Sequence, residues 1–192
     1  IFLDATDRET RYGMPTAFIQ GKEALLNNGD SYKIITVPIV EAENNVITEN
    51  VKLSLDHEKI MGSGSVNYNG FSRSTILSQI GDASNKTRFE MIKSLVIKGN
   101  NKFHLKDFTE ANIDDRDKPY QVNFNFELDN YAMKVDKEIY INLFLDKIYE
   151  KMTLETDRQT AFDLDYLTMY DGRYDLEIPK NYKVKFLPEN FN

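Results

Sequence analysis

The sequence predicts a mainly β protein: an antiparallel, immunoglobulin-like β-sandwich with a short two-helix insertion at about 72–98, or α+β by a strict count of elements. Short segments that alternate apolar and polar residues recur along the chain and are separated by turn formers. The 192 residues include 11 Tyr and 12 Phe, and aromatic residues favour strands. Only one stretch has helical spacing of its apolar residues, which makes the helices an insertion.

The clearest strand follows Pro119. Val122, Phe124, Phe126 and Leu128 alternate there with polar residues. This period of two predicts a strand with one face in the core and one face in water. Similar patterns predict strands within 18–26, 32–39, 51–55, 66–68, 103–105 and 139–141, and a final hairpin from 174–178 and 184–186. Residues 62–65, Gly-Ser-Gly-Ser, fit either a linker or a glycine bulge inside a long strand.

Two short helices are predicted between these strands. Ser72 precedes apolar residues at helical spacing that end before Gly81, and Ser84 precedes a second such run that ends before Gly99. Serine is a good N-cap and glycine commonly ends a helix. Both segments therefore have a start signal, an apolar face and a stop signal.

A domain boundary is predicted at the turn formers of residues 27–30, Asn-Asn-Gly-Asp. Residues 1–28 are expected to form one unit and residues 29–192 another. The chain opens on a strand without an initiator Met, which is typical of a fragment of a longer protein.

Composition excludes several classes of function. The net charge is −7, with 24 basic and 31 acidic residues, so we expect no basic surface for nucleic acid. No apolar stretch reaches the ~20 residues that span a bilayer. The chain has no Cys, and the lone His57 and His104 are best read as ordinary strand residues. We expect neither a metal nor another cofactor.

Asp4 is the first candidate site residue, because it ends the apolar strand at the start of the chain. A carboxylate there can be a turn or capping group that accepts hydrogen bonds from nearby backbone amides. This turn role is the one that the residues alone favour, and the other is a functional group at the end of a strand. The two roles are compatible.

The segment Phe2-Leu3-Asp4-Ala5-Thr6-Asp7, with Tyr12-Gly13-Met14-Pro15 and Gly21-Lys22 after it, resembles the end of a bacterial transglutaminase-like domain. Such domains belong to the papain-like cysteine protease superfamily and use a Cys, His, Asp triad. The resemblance implies that Asp4 is the triad Asp that orients the catalytic His. The triad Cys and His would precede Ile1, so this fragment itself is expected to be inert.

Later segments resemble the module of unknown function that follows this core in multidomain bacterial proteins. They are Asp117-Lys118-Pro119, Ile139-Tyr140-Ile141, the run from Tyr174 to Tyr182 and the run from Leu187 to Asn190. The resemblance implies a non-catalytic scaffold or interaction module whose partner is the upstream domain of the same polypeptide. It also implies a location in the periplasm or cell envelope.

The alternative is an independent module that binds a glycan or peptide through its sheet edges and an aromatic platform. The candidate platform residues are Tyr131, Tyr140, Tyr166, Tyr170 and Tyr174. The acidic run 114–117 lacks the ligand spacing of a calcium loop and is best explained as a solvated turn. A hydrolase that uses Asp163, Asp165 or Asp171 is disfavoured because no pair of acids stands out.

Overall fold

The computed structural model describes residues 7–146, 159–161 and 163–189. The described part is mainly β with two α-helices, as predicted. Its elements are β1 (Glu23–Asn28), β2 (Ser31–Thr36), β3 (Val46–Asp56), β4 (Lys59–Tyr68), α1 (Gly70–Ile80), α2 (Asn85–Leu95), β5 (Phe103–Ala111), β6 (Tyr120–Leu128), β7 (Met133–Val135), β8 (Glu138–Tyr140) and β9 (Met169–Glu177), with 3₁₀ turns at Ala17–Ile19 and Ala42–Asn45.

The main sheet has five strands in the order β5-β6-β4-β3-β9. Four of them pair antiparallel with their neighbours, and β9 runs parallel to β3. The pairs β1-β2 and β7-β8 form separate two-stranded hairpins. The long strands β3, β4, β5 and β6 thus form most of the main sheet, on which the helices pack.

One face of the main sheet is apolar and the other is polar, as the alternation in β6 predicts. On the apolar face, Gly62 and Gly64 of β4 lie under the rings of Phe126 and Phe124, where an added Cβ would come within 2.2 and 2.4 Å of the ring atoms. The pairing of β4 with both neighbours is continuous through these residues. Residues 62–65 are therefore neither a linker nor a bulge, and the glycines give the aromatic rings room to pack.

Both predicted helices are confirmed. The N-cap of α2 is Ser84, whose Oγ accepts a hydrogen bond from the Thr87 amide at 3.4 Å. The prediction of Ser72 as the N-cap of α1 is wrong, because that helix begins at Gly70. The Asn45 side chain, from the turn before β3, accepts from the Phe71 amide at 2.9 Å and caps the helix from a distance in sequence.

The predicted final hairpin is wrong. Its first half lies in β9, which pairs with β3, and residues 179–189 form no strand. The predicted strand at 18–19 is also wrong, since Ala17–Ile19 is a 3₁₀ turn. The turn at residues 27–30 joins β1 to β2, with Asn28 paired to Ser31, so strands on both sides of the predicted domain boundary belong to one hairpin.

Helices α1 and α2 pack on the apolar face of the main sheet. Their residues in the core are Ile76, Leu77, Ile80 and Ile92. Burial of such side chains from water supplies most of the folding free energy. The β-sandwich and its immunoglobulin-like form stay predictions. In the part of the chain described above, no helix is long and apolar enough to cross a membrane.

Candidate functional site: a buried lysine between two carboxylates

The residues predicted as sites are spread over the molecule. Asp4 lies outside the described residues. His57 is in the turn between β3 and β4, with Nδ1 2.7 Å from Asp56 Oδ1, and His104 Nε2 in β5 is 3.1 Å from Asp129 Oδ2. Each imidazole is paired with a single aspartate, so the described chain does not bring the two histidines into one site.

The predicted tyrosine platform is wrong, because two of its members turn inward. Tyr170 and Tyr174 of β9 direct their hydroxyls to buried carboxylates. Tyr166 packs against the ring of Phe71, with centroids 5.2 Å apart. The tyrosines therefore serve separate packing and hydrogen-bonding roles.

The acidic run 114–117 forms an exposed turn, as expected. Lys118 Nζ is 2.9 Å from Asp115 Oδ2, and Arg11 Nε is 2.9 Å from Asp117 Oδ1. Across residues 7–146, 159–161 and 163–189, no group of three or more His, Cys, Asp or Glu residues is arranged to hold a metal ion.

The most unusual polar group in the core contains Glu49, Lys98 and Asp146. Glu49 is in β3 on the same face as Val51 and Leu53, so the alternation of the strand directs its carboxylate into the core. Lys98 follows α2, and Asp146 follows the short hairpin β7-β8. Three separate parts of the chain thus place charged groups at one buried point.

Lys98 Nζ lies between the two carboxylates. It is 2.9 Å from Glu49 Oε1 and 2.9 Å from Asp146 Oδ2, and the side chains of Lys98 and Glu49 are each only 2% exposed. The ring of Phe124 lies beneath the amine, with its centroid 5.9 Å away. Charged groups are this deeply buried only when they are paired, and here one amine serves two acids.

Two tyrosines complete the group, which we name the Lys98 cluster: Glu49, Lys98, Asp146, Tyr170 and Tyr174. The Tyr170 hydroxyl is 2.6 Å from Glu49 Oε2 and 2.8 Å from Asp146 Oδ2, and the Tyr174 hydroxyl is 2.9 and 3.2 Å from the same atoms. The hydroxyls satisfy the carboxylate oxygens and fasten β9 to the core.

Gly172 makes the position of Tyr170 possible. It stands between the two tyrosines in β9, and an added Cβ would come within 2.7 Å of the Tyr170 ring. The sequence Tyr-Asp-Gly-Arg-Tyr therefore places two hydroxyls on one side of the strand, 3.1 Å apart, with the Tyr170 ring over Gly172.

Burial sets the protonation of the cluster. It raises the pKa of the Tyr170 and Tyr174 hydroxyls, and the charge of Glu49 raises both further, so both stay protonated donors. Burial alone would raise the pKa of the Asp146 carboxyl, but the adjacent Lys98 charge and the hydrogen bonds outweigh it and leave that pKa below its ordinary value. The cluster thus holds an amine, two acids and two hydroxyl donors out of water.

A second lysine stands between two carboxylates at the surface. Lys59 Nζ in β4 is 2.9 Å from Glu127 Oε2 and 3.1 Å from Asp129 Oδ1, and its side chain is 38% exposed. We name these three residues the Lys59 cluster. It matches the Lys98 cluster in residue types and distances and differs in its access to water.

The polar face of the main sheet forms a shallow depression of about 500 Å³. Ser63 and Ser65 of the central strand β4 provide its floor, and longer polar side chains of the neighbouring strands provide its walls. The wall residues are Asn50, Lys52, Asp107, Thr109, Asn123, Asn125, Arg173 and Asp175. The depression offers many hydrogen-bonding groups.

The hairpin β1-β2 leaves large apolar side chains in water. Leu25 is 70% exposed and pairs across the hairpin with Ile34, and Tyr32 lies on the same side. At the base of the hairpin, the buried Val37 exchanges backbone hydrogen bonds with Gly21 and Lys22. The hairpin is therefore fixed at its base and uncovered along its strands.

Sequence reasoning missed Glu49, Lys98 and Asp146. One signal was present for Glu49, because it shares the alternation of Val51 and Leu53 and is a charged residue at a core position. Lys98 and Asp146 lie in irregular segments, where the alternation of apolar and polar residues does not predict which side chains face the core. Only the fold brings them together.

Comparison of the chain with protein-family models, with curated proteins and with solved structures gives no match. The function is therefore argued from the residues and geometry described above.

Proposed function

We propose that this chain is a non-catalytic interaction module of a multidomain bacterial protein, and that its partner is a transglutaminase-like domain upstream in the same polypeptide. The observation that carries the proposal is the hairpin β1-β2. It follows directly on the segment that resembles the end of such a domain, and it exposes Leu25, Tyr32 and Ile34. The immunoglobulin-like form of the module, a scaffold role and a place in the cell envelope belong to the same proposal.

An isolated two-stranded hairpin is marginally stable in water, and contiguous exposed apolar side chains commonly mark a surface that another protein covers. The cross-strand pair Leu25 and Ile34 together with Tyr32 offers one apolar side for such a contact. A domain joined to the chain just before this hairpin is held close to it, which raises its effective concentration at the surface.

The chain carries no Cys, so an acyl-transfer reaction through a cysteine nucleophile has no nucleophile here. The proposal assigns the Cys and His of the triad to the upstream domain and only Asp4 to this chain. The coding sequence before Ile1 tests that assignment. A preceding segment without both a Cys and a His in a papain-like arrangement would refute it.

The docking role is tested by hydrogen–deuterium exchange in the longer polypeptide and in this chain alone. We expect the amides of 23–36 to exchange at least ~10-fold more slowly in the longer polypeptide, because the covered hairpin opens less often. The double substitution Leu25→Ser and Ile34→Ser should remove this protection. Lys33→Ser, on the other side of the hairpin, is the matched control and should retain it. Equal exchange in both polypeptides would contradict the proposal.

The second candidate function is the binding of a glycan on the polar face of the main sheet. The depression over Ser63 and Ser65 favours it, since its walls present amides, carboxylates and a guanidinium within one surface. Such groups can bond sugar hydroxyls, although the inward-facing tyrosines supply no stacking platform. Titration with soluble cell-wall glycans tests it: saturable binding that Ser63→Arg abolishes and Lys137→Ser leaves intact would support it, and a flat titration would exclude these ligands.

A further inference from the structure

We propose that Lys98 and Asp146 join in an intramolecular amide bond, with Glu49 as the group that transfers the protons. The proposal rests on the Lys98 cluster, in which one amine contacts two carboxylates and the side chains of Lys98 and Glu49 are each only 2% exposed. It is independent of the proposed docking role.

The reaction is a condensation. A proton passes from the Lys98 ammonium to a carboxylate, which leaves a neutral amine, and the amine lone pair attacks the carboxyl carbon of Asp146. The N–C bond forms, one C–O bond breaks, and the oxygen leaves as water with two protons that came from the ammonium. One ammonium and one carboxylate are consumed, one amide and one water are produced, and no oxidant or cofactor is needed.

Low polarity favours the first step. An ammonium and a carboxylate are strongly solvated in water, and a buried pair that shares its proton as neutral amine and acid avoids the cost of burying charge. Lys98 is enclosed by Glu49, Asp146 and the ring of Phe124. The Lys59 cluster has the same groups with more access to water, so burial adds less cost to their charged forms.

The backbone holds the two reacting residues side by side. The Gly99 amide donates to the Leu145 carbonyl at 2.8 Å, so the residues next to Lys98 and Asp146 are fixed to each other. Fixing two reactants in one geometry removes much of the entropy cost of their reaction. Gly99 has a φ of 64°, and an added Cβ would meet Tyr131 at 2.7 Å, so this turn requires glycine.

Glu49 and the tyrosines supply the remaining groups. Glu49 Oε1 is 2.9 Å from Lys98 Nζ and can take a proton from the amine and return it to the leaving oxygen. The hydroxyls of Tyr170 and Tyr174 lie 2.8 and 3.2 Å from Asp146 Oδ2, where negative charge develops when the amine adds. Each hydroxyl has one proton, so one can donate to this oxygen while the other donates to Glu49 Oε2. Donors placed in advance at such an oxygen stabilise the tetrahedral intermediate.

Asp146 is assigned as the acyl partner because of its position. Its side chain is 17% exposed against 2% for Glu49, so the water that is formed has a way out. Asp146 also lies outside any strand, whereas Glu49 is held within the paired strand β3.

The bond would close a covalent loop from residue 98 to residue 146 in a chain that has no disulfide. A crosslink over a loop of this size restricts the unfolded chain, and by analogy with disulfides it should raise the melting temperature by on the order of 10 °C. The crosslink would fix the segment after β8 to the loop before β5.

Denaturing mass spectrometry of the full chain tests the proposal. We expect an intact mass lower than that of the sequence by one water, no tryptic cleavage between Lys98 and Gly99, and a branched peptide that joins Lys98 to Asp146. An intact mass equal to the sequence mass, with normal cleavage at Lys98, would overturn the proposal. A branch at Glu49 would overturn the assignment of Asp146.

Three variants give the matched controls. Lys98→Arg keeps the positive charge and Glu49→Gln keeps the shape, and both should show their full sequence mass. Lys59→Arg alters the exposed cluster and should still lose one water. The mass and branched peptide of the unsubstituted chain decide the question even where a variant fails to fold, and loss of water by Lys98→Arg would contradict the proposal.

Discussion

The Lys98 cluster and the Lys59 cluster are the same chemical group in two environments. In each, a lysine amine contacts two carboxylate oxygens at 2.9 to 3.1 Å. Lys98 lies under the main sheet with tyrosine hydroxyls around it, and Lys59 lies at the end of β4 in contact with water. Distance alone therefore says little about what a cluster does, and access to water decides its stability and its reactivity.

The two clusters also differ in what they connect. Lys59 joins neighbouring strands that already pair through their backbones. The Lys98 cluster joins β3, the loop after α2, the segment after β8 and the edge strand β9. The buried cluster therefore connects two irregular segments to the paired strands β3 and β9.

Removal of the buried amine should have the largest effect. Lys98→Met removes the proposed amide and leaves Glu49 and Asp146 buried close together without the amine, and an uncompensated buried charge typically costs ~3–5 kcal/mol. We expect at least that loss in the free energy of unfolding, measured in urea. A loss below ~1 kcal/mol would mean that the cluster is not buried as described.

Removal of one hydroxyl should have a smaller effect. Tyr170→Phe deletes the donor 2.6 Å from Glu49 Oε2, and a hydrogen bond to a charged group contributes ~1.5–3 kcal/mol. Tyr140→Phe is the control, because its hydroxyl bonds Glu138 at the surface. The same urea titration should show a clear loss for Tyr170→Phe and no measurable change for Tyr140→Phe. An equal loss of stability for Tyr170→Phe and Tyr140→Phe would mean that the buried hydroxyl stabilises the fold no more than the surface hydroxyl.

Acid and salt should separate two half-buried carboxylates, Glu110 and Glu127, that differ in their cation partners. The Arg88 side chain beside Glu110 is 16% exposed, whereas the Lys59 and Lys106 side chains beside Glu127 are 38% and 47% exposed. Burial would raise the pKa of the Glu110 carboxyl, but hydrogen bonds from Arg88 and Tyr120 lower it below the ordinary value of 4.5. Hydrogen bonds from the exposed Lys59 and Lys106 lower the pKa of the half-buried Glu127 carboxyl. Both groups therefore stabilise the fold above pH 4.5, and this stability is lost as the pH falls through the lowered pKa.

The salt concentration should distinguish the contribution of Glu110 from that of Glu127. Glu110→Gln should flatten the pH dependence of the melting temperature below about pH 4.5 at both low and high salt. Glu127→Gln should flatten the pH dependence only at low salt, because ions screen pairs whose lysines are exposed. Thermal melts from about pH 2 to pH 7 at about 0.02 and 1 M salt check this. If the effect of Glu110→Gln on the pH dependence of the melting temperature vanished at about 1 M salt, the Arg88–Glu110 pair would not be shielded from solvent ions.

Lys59→Met should have the smallest effect. The amine is exposed, and the two carboxylates it leaves behind remain hydrated. We expect no measurable shift of the urea midpoint at physiological salt. A loss as large as that of Lys98→Met would show that the surface cluster contributes as much as the buried one.

Local patterns in the sequence predict the parts of the fold that depend on local structure. The alternation from Val122 to Leu128 gives β6, and Ser84 with its apolar spacing gives α2. The pairing of β9 with β3 joins distant parts of the chain, and no pattern near Tyr174 specifies that partner. The cap of α1 by Asn45 is missed for the same reason.

For the Lys98 cluster, too, local sequence patterns predict only what depends on local structure. Glu49 carries a local signal, since it is an acid at a core position of an alternating strand, but its partners Lys98 and Asp146 come from loops. Tyr170 and Tyr174 are recognisable as strand residues, and their role depends on carboxylates that the sequence does not place beside them. A buried polar cluster is a property of tertiary packing.

Amine labelling tests the contrast between the two clusters most directly. The full chain is unfolded in denaturant, treated with an excess of an acetylating reagent and mapped by mass spectrometry. We predict that Lys59 is fully acetylated and that Lys98 is not, because the Lys98 nitrogen is already part of an amide. Complete acetylation of Lys98 together with Lys59 would contradict the account.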